Sequence, residues 1–243
     1  PVCGTGGGGT ARRLRSVSVS TSGAGSTTIG LFPLGQVLFP GMGLPLRVFE
    51  PRYREMLRDV SAPGGVRSFG VVGITTGSEV GDPGARFSTV GTIAEITEVR
   101  PHPDGTSDLM AVGSRRFRIL APVPGTTYLR ARVAYLPEVD GGATPTLCQA
   151  VRALHERFRA AAVARTGNAS AEPLATDPAV LSYQLASWLP LTPADRQALL
   201  EEPTDAARLE RVARLLRREL RLLEATGSIA VAPRVVQVPL SAN

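Results

Sequence analysis

From residue 31 onward the chain is a succession of short apolar stretches, at 31–34, 37–39, 44–49, 69–74, 91–99, 109–112, 117–123 and 128–136. Each has the length of a β-strand. Turn residues stand between them at Gly81-Asp82-Pro83-Gly84, Pro103-Asp104-Gly105 and Pro124-Gly125. The spacing predicts a long hairpin over 90–123 that turns at Pro103-Asp104-Gly105. One helical window interrupts the series: Pro51 suits a first helical position, and Tyr53, Met56, Leu57 and Val60 fall on one face of 52–60. Many short strands around a single inserted helix predict a compact barrel or folded sheet.

After Glu138 the period of the apolar positions lengthens. Residues 140–145 read as a linker, and 146–165 carries Leu147, Val151, Leu154, Phe158 and Ala162 at helical spacing. A loop over 166–176 leads to Asp177-Pro178, an N-cap followed by a first-turn proline, for a helix reaching Trp188. Thr192-Pro193 repeats that signal, with Asp195 at the third helical position, for a helix to about Glu202. A last helix over 204–225 has Leu209, Val212, Leu216, Leu220 and Leu223 as its apolar stripe, with Arg208, Arg211, Arg214, Arg217, Arg218 and Arg221 read as a solvated face. His155, off the stripe of its helix, is expected to face solvent, and His102 to be an idle imidazole in a turn. Strands first and helices second predict an α+β fold. The division is a leader at 1–28, a β-rich lobe at 29–138, a helical lobe at 146–225 and a C-terminal extension at 226–243. The leader is rich in Gly, Ser and Thr and is expected to be disordered. Its G-x-G-x-x-G (Gly4, Gly6, Gly9) has neither the preceding strand nor the following helix of a dinucleotide site.

Composition narrows the chemistry. The hydrophobic fraction is 43% and the charged fraction 20%, the balance of a soluble globular protein, and no apolar run reaches the roughly 18–20 residues of a membrane helix. No apolar segment of the secretory type is visible, and two cysteines (Cys3 and Cys148) make no disulfide framework, so a cytoplasmic location is expected. All 27 basic residues are arginines. Without lysine these residues contain no Ser–Lys dyad, P-loop lysine or Schiff-base amine. Two histidines, His102 and His155, leave little for zinc or imidazole catalysis. No cofactor or metal is expected. The net charge of +6 admits acidic partners, RNA among them.

The segment Leu31-Phe32-Pro33-Leu34-Gly35-Gln36-Val37-Leu38-Phe39-Pro40-Gly41, followed by Leu44-Pro45-Leu46-Arg47-Val48-Phe49-Glu50-Pro51-Arg52-Tyr53, resembles the opening of the Lon protease N-terminal (LON substrate-binding) domain family. The likeness continues in order through Phe69-Gly70-Val71-Val72, Val90-Gly91-Thr92-Ile93-Ala94-Glu95-Ile96, Gly113-Ser114-Arg115-Arg116-Phe117-Arg118-Ile119, Leu189-Pro190-Leu191, Arg196-Gln197-Ala198-Leu199-Leu200-Glu201 and Ala207-Arg208-Leu209, covering about 30–225. The resemblance implies a β-rich pseudo-barrel with one inserted helix, related to RNA-binding PUA-like barrels, followed by an α-helical bundle. It also implies a non-catalytic, ATP-independent role in recognising other proteins: unfolded or specific clients or peptides, for a protease or chaperone.

Binding by such a module would use exposed apolar and arginine side chains. One candidate set lies in the motif, Arg47, Phe49, Glu50, Arg52 and Tyr53, although Tyr53 and Phe49 also suit packing and Glu50 a helix N-terminus. A second is a groove between the lobes near Phe32, Leu38, Phe39 and Met42, where the phenylalanines also suit the core. RNA binding is the alternative, weakened by an aromatic content of 5%. A hydrolase with an unrecognised site is the third reading, and no G-x-S-x-G elbow supports it.

Overall fold

The computed structural model describes residues 26–76, 86–166 and 173–226. Its strands are β1 (Thr27–Leu34), β2 (Gly43–Val48), β3 (Ser68–Thr76), β4 (Arg86–Pro101), β5 (Ser107–Pro122) and β6 (Arg130–Tyr135). The helices are α1 (Pro51–Ser61), α2 (Pro145–Thr166), α3 (Pro178–Trp188), α4 (Pro193–Glu201) and α5 (Asp205–Thr226). Strands precede helices apart from α1, giving the α+β fold expected. The leader up to residue 25, the turn at Gly81-Asp82-Pro83-Gly84 and the extension beyond 226 lie outside the described residues.

The six strands form one sheet in the order β2-β5-β4-β3-β1-β6, and a further β5–β6 pairing closes five of them into a ring. The hairpin of β4 and β5 makes this closure work. β5 runs beside β4 from Ser107 to Arg118, while on its other side its first half pairs with β2 (Ser107 to Val112) and its second with β6 (Phe117 to Pro122). Register shifts in β4–β5 after Thr92 and after Ile96 supply the bending a small barrel needs. β1 and β3 pair in parallel, which requires the crossover that β2 and α1 provide. β2 lies at the outer edge and carries Pro45, a residue without an N–H to donate and so at home on an edge strand.

Alternation along the strands sorts consecutive residues into two cores. Leu31, Val72, Ile93 and Phe117 point into the ring with Ile29, Ala131 and Val133. Their neighbours Phe32, Val71 and Ala94 point outward, where α1 covers them with Tyr53, Met56, Leu57 and Val60. Burial on both faces is why these strands read as continuous apolar runs instead of alternating ones. The ring is narrow. A Cβ on Gly91 would meet the Val71 carbonyl and the Phe117 ring, and one on Gly113 would meet the Phe39 carbonyl, so only hydrogen fits at either position.

Helix starts follow the signals in the sequence. The Asp177 carboxylate accepts from the Val180 N–H at 2.9 Å and the Thr192 hydroxyl from the Asp195 N–H at 3.1 Å, each followed by proline at the first helical position. Leu209, Val212, Leu216, Leu220 and Leu223 of α5 are buried against α2 and α3. Val37, Phe39 and Val90 from the β-rich part belong to the same cluster, so the helices and the barrel share apolar core. The linker-like stretch is also docked: Val139 bridges Thr204, and the Gly141 N–H donates to Asp205 at 2.6 Å.

Four expectations need correction. Residues 37–39 form no strand; they cross as a loop whose apolar side chains are nonetheless buried. The stretches 109–112 and 117–122 belong to one strand, and Arg116, which interrupts the apolar run, is itself buried. Arg208 is fully buried and not part of a solvated face. His102 is not idle, since its Nε2 lies 2.8 Å from an Asp108 carboxylate oxygen.

His155 also departs from expectation. It is 8% exposed, because it stands four residues after Val151 and three before Phe158 on the buried side of α2. Its ring centroid is 6.0 Å from that of Trp188, and among the described residues its Nδ1 has no hydrogen-bond partner. Burial holds the imidazole below its ordinary pKa of 6.5, against a weaker upward pull from Glu156. The unfolded chain therefore takes up a proton below about pH 6.5 that the folded chain resists, and stability falls as pH falls through this range. His155→Leu should flatten that loss. Urea midpoints measured between about pH 7.5 and about pH 5.5 check it, with equal slopes for both proteins counting against the assignment.

Candidate functional site

The motif residues meet where β2 hands over to α1. Val48 ends the strand facing inward, so Phe49 faces outward and is 56% exposed. The chain then turns at Glu50, the N-cap of α1, whose backbone carbonyl accepts from the Tyr53 and Arg54 N–H groups at 3.0 Å each. Its carboxylate accepts from Arg52 at 2.8 Å, and Pro51 occupies the first helical position. The Arg52 guanidinium lies 4.5 Å from the centre of the Tyr53 ring, which stacks on Phe32 at 4.0 Å. Arg47 projects from the edge strand to the tip of the β4–β5 hairpin, donating to the Thr106 hydroxyl at 3.3 Å and standing 3.7 Å from Asp104.

The nine residues singled out from sequence thus fall into three groups. Arg47 and Phe49 are exposed; Met42, Glu50 and Arg52 are half-buried; Phe32, Leu38, Phe39 and Tyr53 are buried. Phe39 sits under the Arg196 guanidinium at 5.2 Å and beside Tyr183 at 6.2 Å, and Met42 packs against both the α1-side and the helical cores. Phe39 and Met42 thus occupy part of the junction between barrel and helices, whereas Phe32 and Leu38 are buried in the core on the α1 side.

Two features escaped the sequence reading. One is the polar knot joining barrel and helices. Arg116 of β5, 1% exposed, donates to both oxygens of Glu138 (2.8 and 3.3 Å) and to the carbonyls of Leu200 (2.9 Å), Glu202 (2.7 Å) and Pro137 (3.3 Å). Arg208 of α5 donates to the carbonyls of Leu199 (3.3 Å) and Glu202 (3.2 Å) and to Ser182 (2.9 Å), and stands 3.6 Å from the same Glu138. The Tyr183 hydroxyl donates to Glu138 as well, its ring 3.9 Å beneath Arg208, and burial raises its phenol pKa well above the usual value. Two cations thus cap the carbonyl end of α4 while sharing one carboxylate. A signal existed for Arg208: it precedes Val212, Leu215 and Glu219 by four, seven and eleven residues, and all four are buried.

The other feature is a cleft of about 260 Å³ between α1 and the β4–β5 hairpin, bounded by Arg54, Leu57 and Arg58 on one side and Val99, Gly105 and Ser107 on the other. Its arginines lie one helical turn apart. Among the described residues no group of three or more His, Cys, Asp or Glu could hold a metal ion, and no helix is long and apolar enough to cross a membrane. What the surface offers chemically is apolar contact and guanidinium pairing.

Residues 28–218 match the family model described as the ATP-dependent protease La (LON) substrate-binding domain. The chain belongs to that family. This LON domain is 32% identical over 204 residues to the Lon protease of Paraburkholderia phytofirmans and 30% identical over 198 residues to Lon protease 2 of Syntrophobacter fumaroxidans. Each alignment takes in 80% of this chain and 25% of the relative, so the chain spans about a quarter of the length of these curated relatives. Among solved structures, the crystal structure of a Lon N-terminal domain protein from Xanthomonas campestris aligns with a TM-score of 0.59 at 29% identity, covering 77% of this chain and 98% of that one. The N-terminal domain of the Mycobacterium avium complex Lon protease shares the fold, at a TM-score of 0.55 and 20% identity, covering 79% of this chain and 98% of that one.

Proposed function

We propose that this LON domain is a non-catalytic recognition module that binds segments of other polypeptides, unfolded or specific clients, in connection with proteolysis or protein quality control. The observation that carries the reading is Phe49, a large aromatic side chain more than half exposed at a rigid strand-to-helix corner, beside the exposed Arg47, in a chain whose family is described by substrate binding. Aromatic and arginine groups of this kind contribute most of the energy of protein interfaces. A non-catalytic role agrees with the lack of lysine in these 243 residues, which removes a Ser–Lys peptidase dyad from them. The free thiol of Cys148 suits a reducing, cytoplasmic setting. Proteases and chaperones are the partners to which such a module would deliver a client.

The test is fluorescence anisotropy with a labelled, permanently unfolded polypeptide. Binding at micromolar concentrations is expected, with Phe49→Ser weakening it about tenfold. The melting temperature should stay close to that of the unsubstituted domain, because exposed side chains contribute within about 0.5 kcal/mol. Failure to bind any polypeptide, or preference for a single-stranded RNA whose affinity collapses with salt, would end this reading in favour of a nucleic-acid partner or another role.

A further inference from the structure

Helix α1 is divided by charge. Its carboxylates, Glu55 and Asp59, accept at 2.7 Å from the hydroxyls of Thr127 and Tyr128 in the segment before β6. Arg54 and Arg58 face the other way, toward the β4–β5 hairpin, and bracket the cleft of about 260 Å³. The Arg54 guanidinium lies over Gly105, where any side chain would displace it. The carboxylates near the tip of the hairpin already have partners: Asp104 accepts from Thr106 (2.7 Å) and stands near Arg47, Asp108 holds His102 (2.8 Å), and Glu98 holds Arg100 (2.8 Å). Among the described residues neither Arg54 nor Arg58 has a hydrogen-bonding or ion-pair partner for its side chain. Between them the floor is apolar, formed by Leu57 and the half-buried Val99.

Two unpaired guanidinium forks over an apolar floor complement a carboxylate attached to something hydrophobic. The volume falls below the roughly 300–1,000 Å³ of drug-sized pockets, so one or two side chains fill it. We propose that this cleft anchors acidic segments of client polypeptides. An Asp or Glu carboxylate bridges Arg54 and Arg58 while the adjoining apolar side chain rests on Leu57 and Val99. The net charge of +6 favours the approach of such segments over basic ones. This inference rests on the client-binding reading and names the class of segment selected.

The experiment compares two labelled peptides of about ten residues, one alternating Leu with Asp and Glu, the other with each acid replaced by its amide, against the full chain. The acidic peptide should bind about tenfold more tightly, and raising salt from about 50 to about 300 mM should narrow the gap. The double variant Arg54→Gln with Arg58→Gln should bind both peptides alike, with an unchanged melting temperature. Ser107→Glu, which places a competing carboxylate in the cleft while both arginines remain, should abolish the preference independently. Equal affinity of the unsubstituted chain for the two peptides overturns the inference and leaves the broader client-binding reading standing, as does a preference that survives the substitutions. No binding of either peptide or of any unfolded polypeptide overturns both. Cleft-dependent binding of a single-stranded RNA in place of the acidic peptide overturns it too.

Discussion

Arg116→Ala should lower the stability of this domain by about 3–5 kcal/mol, the cost expected when one member of a buried ion pair is removed. The arginine makes five hydrogen bonds from a nearly inaccessible position. Its loss leaves the carbonyls of Leu200 and Pro137 short of a donor, while the Glu202 carbonyl keeps Arg208, and each orphaned acceptor costs about 1–3 kcal/mol when it stays dry. Glu138 limits the damage, because its side chain is 42% exposed and can return to water. Arg208 and Tyr183 would also keep it engaged. Arg116→Lys should restore only part of the loss, since a compact ammonium cannot span a carboxylate and two carbonyls on different elements as the planar guanidinium does. Urea unfolding checks both substitutions: the midpoint should fall with the slope unchanged. A midpoint shift for Arg116→Ala worth less than about 1 kcal/mol would show that the knot contributes little beyond filling space.

The second large effect concerns Phe39. Truncation to alanine should cost about 3–5 kcal/mol, the usual loss for a buried phenylalanine. Its ring is completely inaccessible and joins the barrel to the helical core between Tyr183 and Arg196. Relaxation around the gap is restrained, because the Leu38 carbonyl accepts from Thr92 at 2.7 Å and Gly113 is pressed against the Phe39 carbonyl. Phe39→Leu should cost far less, since it keeps most of the volume. The pair also separates packing from contact with a client. Affinity that tracks the folded fraction marks Phe39 as core, whereas a loss of affinity by fully folded Phe39→Leu would place it in the binding surface.

Much of this architecture could be read from residue order because local and global signals agree. The α1 face of Tyr53, Met56, Leu57 and Val60, the Asp177-Pro178 and Thr192-Pro193 helix starts, and the turn around Gly105, whose φ of 77° suits glycine, all stand where the pattern puts them. Three of the failures share one cause. Arg116, Arg208 and His155 are polar residues on buried faces, and a reading that assigns polarity to solvent misplaces them. Their spacing to apolar neighbours was the better guide. The partners that make burial tolerable for the arginines, Glu138 and the α4 carbonyls, lie 22 to 86 residues from Arg116, beyond the reach of any local pattern. The candidate surface was legible at Arg47 and Phe49, where strand alternation predicts outward side chains. The α1 cleft was not, since it exists only once the β4–β5 hairpin folds over the helix.

The proline in the outermost strand bears on how a client would be held. Many peptide-binding domains extend their own sheet with the guest chain, an arrangement that reads backbone and tolerates nearly any sequence. Pro45 interrupts the row of donors such a guest would need. Recognition is thereby directed to side-chain chemistry, and the same interruption hinders two copies of the domain from zipping together edge to edge.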